Sequence, residues 1–292
     1  MSLRARRRAL VIAGGSVLAG VTLMAPACAA TSGDSAAPAA TSTAAGPSSP
    51  NGIRVQPGGA GHQISPRTTL RGARKATSTS TNWSGYAATG GNGSFTSVSS
   101  RWVEPTGTCR SGYQYSSFWV GLDGYTSTSV EQTGSEVDCT GRTPVYYSWY
   151  EMYPGNGVRI RNTVRPGDHF TGSVTFTRGS SFTLKLSDRT AGWSHTVTRT
   201  LSGATRSSAE VIAEAPCCTT SGGILPLADF GMVRFSGSTA NGAPFRTFNP
   251  VGITMVSGNG VAEDTVSALS NGGNLTATWL SRGNGPRGGP RG

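Results

Sequence analysis

From Thr81 to Leu280 the chain never keeps an apolar spacing of three or four residues long enough to lay down a helix with a buried face. Short stretches rich in Val, Thr, Phe, Tyr and Trp alternate apolar and polar positions instead, and Gly, Asn, Asp or Pro interrupts them at regular intervals. His169–Thr177, Ser181–Ser187 and Trp193–Leu201 read as three consecutive strands, with turns at 178–180 and 188–192. A strand that alternates in this way needs a second layer to cover its apolar face, and the stretch is long enough for two such layers around one continuous core. The predicted fold is all-β: one antiparallel β-sandwich of two large sheets, of the lectin-like jelly-roll kind, over residues 81–282.

The flanks have a different composition. Residues 1–30 combine Arg4, Arg6, Arg7 and Arg8 with an apolar run from Ala9 to about Ala25 and small residues through Ala30, the three parts of an export signal. Cleavage near Ala30 is expected, and the mature chain is expected to be secreted and to have no membrane association. Lipidation of Cys28 would need an aliphatic residue three places earlier, a place that Ala25 fills poorly. Residues 31–80 are Ala, Ser, Thr, Pro and Gly with scattered Arg, and read as a propeptide or disordered linker. Residues 283–292 read as a disordered Gly/Pro/Arg tail. A basic propeptide that covers an acidic cleft would make the chain a zymogen; a solvated spacer fits the composition equally well.

The formal charge of +11 belongs mostly to these flanks. Residues 1–30, 31–75, 76–283 and the tail carry +4, +4, +1 and +2, and the third segment holds fourteen basic and thirteen acidic residues. A nearly neutral domain offers no extended phosphate-neutralising surface, so no nucleic-acid partner is expected. Its few charges and single lysine, Lys185, leave few ion pairs for acid to break. A monomer is expected.

Beyond Cys28 there are four cysteines, Cys109, Cys139, Cys217 and Cys218, which an exported protein would keep oxidised. Three pairings are possible, and adjacent Cys217 and Cys218 do not readily close on each other. Cys109 with Cys139 is favoured, because that bond would tie the loop before Trp119 to the segment after Gln132. No Cys-x-x-Cys pair exists, and His169 and His195 are the histidines of the domain, so neither a metal nor another cofactor is expected.

Two segments hold the candidate chemistry. Val130-Glu131-Gln132-Thr133-Gly134 follows Phe118-Trp119-Val120-Gly121-Leu122-Asp123-Gly124, and Ser208-Ala209-Glu210-Val211-Ile212-Ala213-Glu214-Ala215-Pro216 lies about eighty residues later. A carboxylate beside a neutral side-chain amide can activate water with the first group and stabilise an oxyanion with the second, as hydrolysis of a peptide bond requires. Commoner constellations are missing: no His-Glu-x-x-His, no Gly-x-Ser-x-Gly, no Asp-Thr-Gly or Asp-Ser-Gly. His195 alternates with Trp193 and Val197 as a packed strand residue, and His169 follows a Pro-Gly-Asp turn and is expected to be exposed. Glu210 and Glu214 are four apart and share a strand face, so the residues alone leave the choice between them open. Alternation places Glu131 opposite Gln132, toward solvent.

The chain resembles the glutamic peptidases, or eqolisins. The resemblance rests on Asn82-Trp83-Ser84-Gly85-Tyr86, Trp119 to Gly124, Val130 to Gly134, Trp149-Tyr150-Glu151-Met152-Tyr153-Pro154, Ala209 to Pro216 and Leu225-Pro226-Leu227-Ala228-Asp229-Phe230-Gly231. It implies a two-sheet sandwich, a secreted endopeptidase active in acid on polypeptide substrates, and a catalytic pair of Gln132 and Glu214. Val211 departs from it, standing where the motif usually has a large aromatic residue, and Tyr125-Thr126-Ser127-Thr128-Ser129 replaces a more acidic loop of some relatives. Candidate substrate-binding residues are Trp83, Trp119, Glu151 and Asp123; each also has an ordinary role open to it, as core for the tryptophans and as a self-satisfied turn for Asp123. The rival reading is a secreted carbohydrate-binding sandwich whose aromatics stack on sugars, or a glycoside hydrolase that uses Glu151 and Glu214.

Overall fold

The computed structural model describes residues 64–65, 77–216 and 224–283. The export signal, most of the expected propeptide, Cys217, Cys218 and all of the tail but Gly283 lie outside the described residues. The three-strand reading is borne out: β9 (His169–Arg178), β10 (Ser181–Asp188) and β11 (Trp193–Thr200) form an antiparallel meander. Phe182, Leu184 and Leu186 of β10 point inward while Lys185 points out.

That meander is one edge of an eight-stranded sheet. It continues through β4 (Ser97–Val103), β13 (Met232–Ala240), β17 (Leu275–Trp279) and β16 (Asp264–Val266), and β14 (Ala243–Pro244) pairs with β13 off this path. The other sheet has nine strands. Their spatial order is β1 (Ile64–Ser65), β2 (Thr77–Ser80), β15 (Val251–Met255), β3 (Trp83–Thr89), β12 (Ser208–Glu214), β5 (Tyr113–Leu122), β6 (Val130–Thr140), β7 (Thr143–Tyr153) and β8 (Val158–Ile160). All pairings are antiparallel except β2 with β15. The sheet thus includes Ile64–Ser65 and Thr77–Ser80, ahead of the expected boundary at Thr81: Thr77–Ser80 carries no apolar side chain to mark it, and it pairs with β1 on one side and with β15, far away in sequence, on the other.

Between the sheets lies one large apolar cluster fed by both, with Val98, Trp102, Phe170, Leu184 and Phe235 from the eight-stranded sheet and Phe118, Val120, Leu122, Ala209 and Val211 from the nine-stranded one. Trp102 stacks on Phe170 at 5.6 Å and Phe118 meets Phe230 edge-on at 5.2 Å. Full burial of each such ring stabilises the fold by roughly 1.5–3 kcal/mol. Val211, the departure in the Glu strand, packs into this cluster. A second cluster draws only on the nine-stranded sheet: Trp83, Ala87, Trp119, Val130, Tyr147, Trp149, Ile212 and Ile253. It marks the face turned away from the partner sheet, and both sequence segments of interest place side chains there. The favoured disulfide is present, Cys109 to Cys139 with Cα atoms 5.3 Å apart, and anchors the 104–112 connection to the end of β6.

Candidate active site

Cross-strand register assembles the site. Along β12, Glu210, Ile212 and Glu214 share the outer face, and β5, β6 and β7 add their own outward residues beside them. One row reads Trp83, Glu214, Ser117, Glu136, Tyr147; the next Ile212, Trp119, Gly134, Trp149; the third Glu210, Gly121, Gln132, Glu151. Gly134 is required in the middle row, where a Cβ would meet the Phe118 carbonyl and come within 2.6 Å of the Trp119 Cβ. Its absence lets the Trp119 indole lie across the sheet and reach the neighbouring row.

The Glu214 carboxylate is buried and accepts two hydrogen bonds from nitrogen: Trp119 Nε1 donates to Oε2 at 2.7 Å, and Asn82 Nδ2 donates to Oε1 at 3.0 Å. Asn82 is oriented in turn by Ser80, whose Oγ donates to Asn82 Oδ1 at 3.1 Å and accepts from the backbone N–H of Trp83 at 3.1 Å. Trp83 packs edge-on against Trp119 with ring centroids 5.0 Å apart. Gln132 is also buried, and its Nε2 donates to Glu151 Oε2 at 2.7 Å, straight across the β6–β7 ladder. One N–H of the amide is thereby fixed.

Partners separate the carboxyls of this face. Burial, reinforced by the charge of Glu214, pushes Glu151 well above the ordinary range, and its bond from Gln132 offsets only part of this. Glu136 is raised well above it too, first by burial, then by neighbouring Asp138, with Glu214 adding to the effect. Glu214 differs in receiving two N–H donors, which favour the ionised form of a carboxyl. Glu210 stands apart: burial raises it strongly, Asp123 and Glu131 add to the rise, and neither of its carboxyl oxygens accepts a hydrogen bond among the described residues. Glu214, by contrast, acts electrostatically on Glu151, the residue that holds Gln132. The two glutamates between which the residues alone left the choice open thus differ in their donors.

The remaining candidates divide. Trp119 bonds Glu214, Glu151 holds Gln132, and Trp83 packs on Trp119 and lies opposite Glu214 in the strand register. Asp123 does not touch either residue through any bond of its carboxylate. With φ at 67° it turns back to accept from Thr205 Oγ1 at 2.6 Å, Arg206 N at 2.7 Å and Ser207 N at 2.9 Å, and so holds the loop that leads into β12. Glu131 corrects an expectation: it lies opposite Gln132, but that side faces the partner sheet and not solvent. It is fully buried, and burial, with Asp123 nearby, pushes its carboxyl up to about 9. His195 packs as expected, stacked on Tyr150 at 5.7 Å, and His169 is exposed. Asn82 and Ser80 went unassigned in the sequence; Asn82 sits in the Asn82-Trp83-Ser84 motif, which is the signal that marks it. Among the described residues no cluster of His, Cys, Asp or Glu is arranged to hold a metal, and no helix is long and apolar enough to cross a membrane.

The model of the peptidase A4 family matches residues 81–279. Among solved structures, scytalido-glutamic peptidase bound to a transition-state analogue inhibitor is similar at 24% identity and a TM-score of 0.60, over 68% of this chain and 98% of that one. SCP-B, described as a member of the eqolisin family and bound to the tripeptide Ala-Ile-His, is similar at 23% identity and a TM-score of 0.56, over the same shares. At these identities the likeness establishes the two-sheet fold. No curated protein matches the chain in sequence.

Proposed function

This chain belongs to the peptidase A4 family, the eqolisins, and from that premise we propose that it is a secreted glutamic endopeptidase that cleaves polypeptides in acid with Glu214 as base and Gln132 as oxyanion donor. The observation that carries the reading is the pair of N–H donors on Glu214, set among carboxyls that burial pushes well above the ordinary range.

The Glu214 carboxylate takes a proton from a water molecule as the water oxygen adds to the scissile carbonyl carbon. The carbonyl π pair moves onto oxygen, and the Gln132 amide, oriented by Glu151, donates an N–H to the oxyanion. Glu214, now the acid, passes its proton to the departing amide nitrogen as the C–N bond breaks, which restores the carboxylate and leaves a carboxylic acid and an amine. An amide suits the partner role because it brings no charge. A second ionised carboxyl in that place would oppose ionisation of Glu214, whereas protonated Glu136 and Glu151 do not.

Trp83 and Trp119 support this reading over sugar binding: they pack edge-on against each other and Trp119 spends its N–H on Glu214, so neither offers a flat platform for a sugar ring. The test is cleavage of an unfolded protein from about pH 2 to pH 7, with the expected propeptide removed and a pepsin-type inhibitor present. Acid-dependent cleavage that persists under the inhibitor and vanishes in Glu214→Gln is the expected result. Full activity in Glu214→Gln, or its absence in the wild type at every pH, defeats the proposal.

A further inference from the structure

The near-neutral formal charge of the domain does not describe its surface. Of the thirteen described carboxylates twelve are buried, Asp229 being the other, while every described Lys and Arg is exposed except Arg206 and Arg282, which are half-buried. Arg110 with Asp229, at 4.0 Å, is the one ion pair among the described residues. The negative half of the balance is inside, and what solvent meets is cationic.

The cations are not evenly spread. On the outer face of the eight-stranded sheet, remote from Glu214, a cavity of ≈ 450 Å³ is lined by Arg101, Arg189, Arg234 and His169 with Val103 and Ser236. Strand register sets this grouping. Arg101 lies opposite both Ser236 and Thr171, Val103 opposite His169, and Arg234 is two residues before Ser236 on the same face. Arg189 follows at the end of β10, its backbone N–H donating to the His169 carbonyl at 2.9 Å. No carboxylate lines the cavity.

One detail separates this from an ordinary solvated face. The β4–β13 ladder breaks at Ser236/Thr239, and Gly237 in the break has a φ of 61°; a Cβ there would meet Arg101 Nη2 at 2.5 Å. The bulge makes room for the guanidinium to lie along the sheet beside Ser236, which limits the conformational freedom it must give up on binding.

We propose that this cavity is an oxyanion-binding exosite for a phosphate or sulfate ester. Three guanidiniums around one cavity exceed what a planar, singly charged carboxylate can use, and they fit the several acceptor oxygens of a tetrahedral oxyanion. A further clause rests on the acid working range proposed above: there carboxylate ligands are protonated, while phosphate diesters and sulfate esters stay ionised. The site would hold the peptidase on an anionic matrix with the Glu214 face free.

Inorganic polyphosphate and a sulfated oligosaccharide are the probes, titrated calorimetrically at two salt concentrations. Arg101→Gln/Arg189→Gln/Arg234→Gln is expected to weaken binding at least about tenfold and to flatten the salt dependence by two to three counterions. A control, Arg142→Gln/Arg161→Gln/Arg246→Gln, removes the same charge from exposed positions outside the cavity and is expected to have several-fold less effect. Gly237→Ala displaces Arg101 without changing any charge and is expected to weaken binding several-fold. Binding of polyphosphate alone, or of the sulfated probe alone, names the source of the oxyanion. Equal losses in the two triple variants, or wild-type binding in Gly237→Ala, overturn the site in favour of diffuse surface charge. Peptide cleavage is retained in these variants if the exosite alone is altered, which keeps this test independent of the one on Glu214.

Discussion

Raising the pH from 4.5 to 7 should cost this protein most of its stability, and the two glutamates buried on the core side supply the arithmetic. Glu104 is held at about 8 and Glu131 at about 9, each from an ordinary value of 4.5 and each chiefly by burial. In the folded state both keep their protons through neutrality; in the unfolded chain both lose them above 4.5. A folded-state value above the unfolded one means that the contribution is complete below pH 4.5 and is lost as pH climbs toward the folded value. Each group then removes ~1.4 kcal/mol per pH unit, so the pair removes roughly 7 kcal/mol by pH 7. That is comparable to the whole stability of a typical domain, about 5–15 kcal/mol. The assay is urea unfolding followed by tryptophan fluorescence between about pH 3 and pH 7, in the Glu214→Gln background to prevent self-cleavage. Glu104→Gln and Glu131→Gln, which keep a neutral side chain of the same shape, are each expected to flatten the slope by ~1.4 kcal/mol per pH unit while changing little in acid. Stability that is level or rising between about pH 5 and pH 7 would refute the reasoning.

Trp119→Phe keeps the ring packing against Trp83 but deletes the 2.7 Å donor to Glu214, so the acid limb of the pH profile should move upward by about one to two pH units, as expected for loss of a hydrogen bond to a charged group. A profile that only drops in height would place the indole in packing alone. Gln132→Ala should lower kcat about 100- to 1,000-fold with little change in urea midpoint in acid. Glu151→Gln, which turns the acceptor of the Gln132 bond into an amide free to rotate, should lower kcat and leave KM near its original value. Replacing both Cys109 and Cys139 with Ala opens a loop of sequence separation 30 and should destabilise the fold by about 3–4 kcal/mol, read as a lower urea midpoint.

What could be read from the sequence depended on whether a residue's environment follows its polarity. β9 to β11 were legible to within a residue because their apolar positions face the core and their Thr, Ser and Lys positions face water. β5 and β6 are buried on both sides along nearly their whole length, and there polarity stops reporting exposure. Glu131 shows the failure: period two gave its face correctly, and the general habit of glutamate gave the wrong medium. β2 shows another, since four Thr and Ser residues join the main sheet through a partner strand beyond residue 250. The donors that single out Glu214 come from β5 and from the segment between β2 and β3, and no local pattern in the Glu strand contains them.

The same burial that hid these carboxyls from a sequence reading gives them a common logic. A carboxylic acid is cheap to bury only while it is protonated, and burial raises nine of the twelve buried carboxyls among the described residues, which favours the folded state in acid. Within that setting the base of the proposed mechanism has to be exempted individually. Glu136, Glu151 and Glu214 sit on one sheet face at equal burial, and partners distinguish them: a second carboxyl beside Glu136, one amide donor on Glu151, an indole and an amide on Glu214. On the mechanism proposed above, unequal partners at equal depth are how two protonation states would coexist in one site. On the function proposed above, acid operation, alkaline instability and a cationic exterior follow from one placement of charge, which is why replacing one core-side glutamate by glutamine should flatten the pH dependence of stability without touching the Glu214 face.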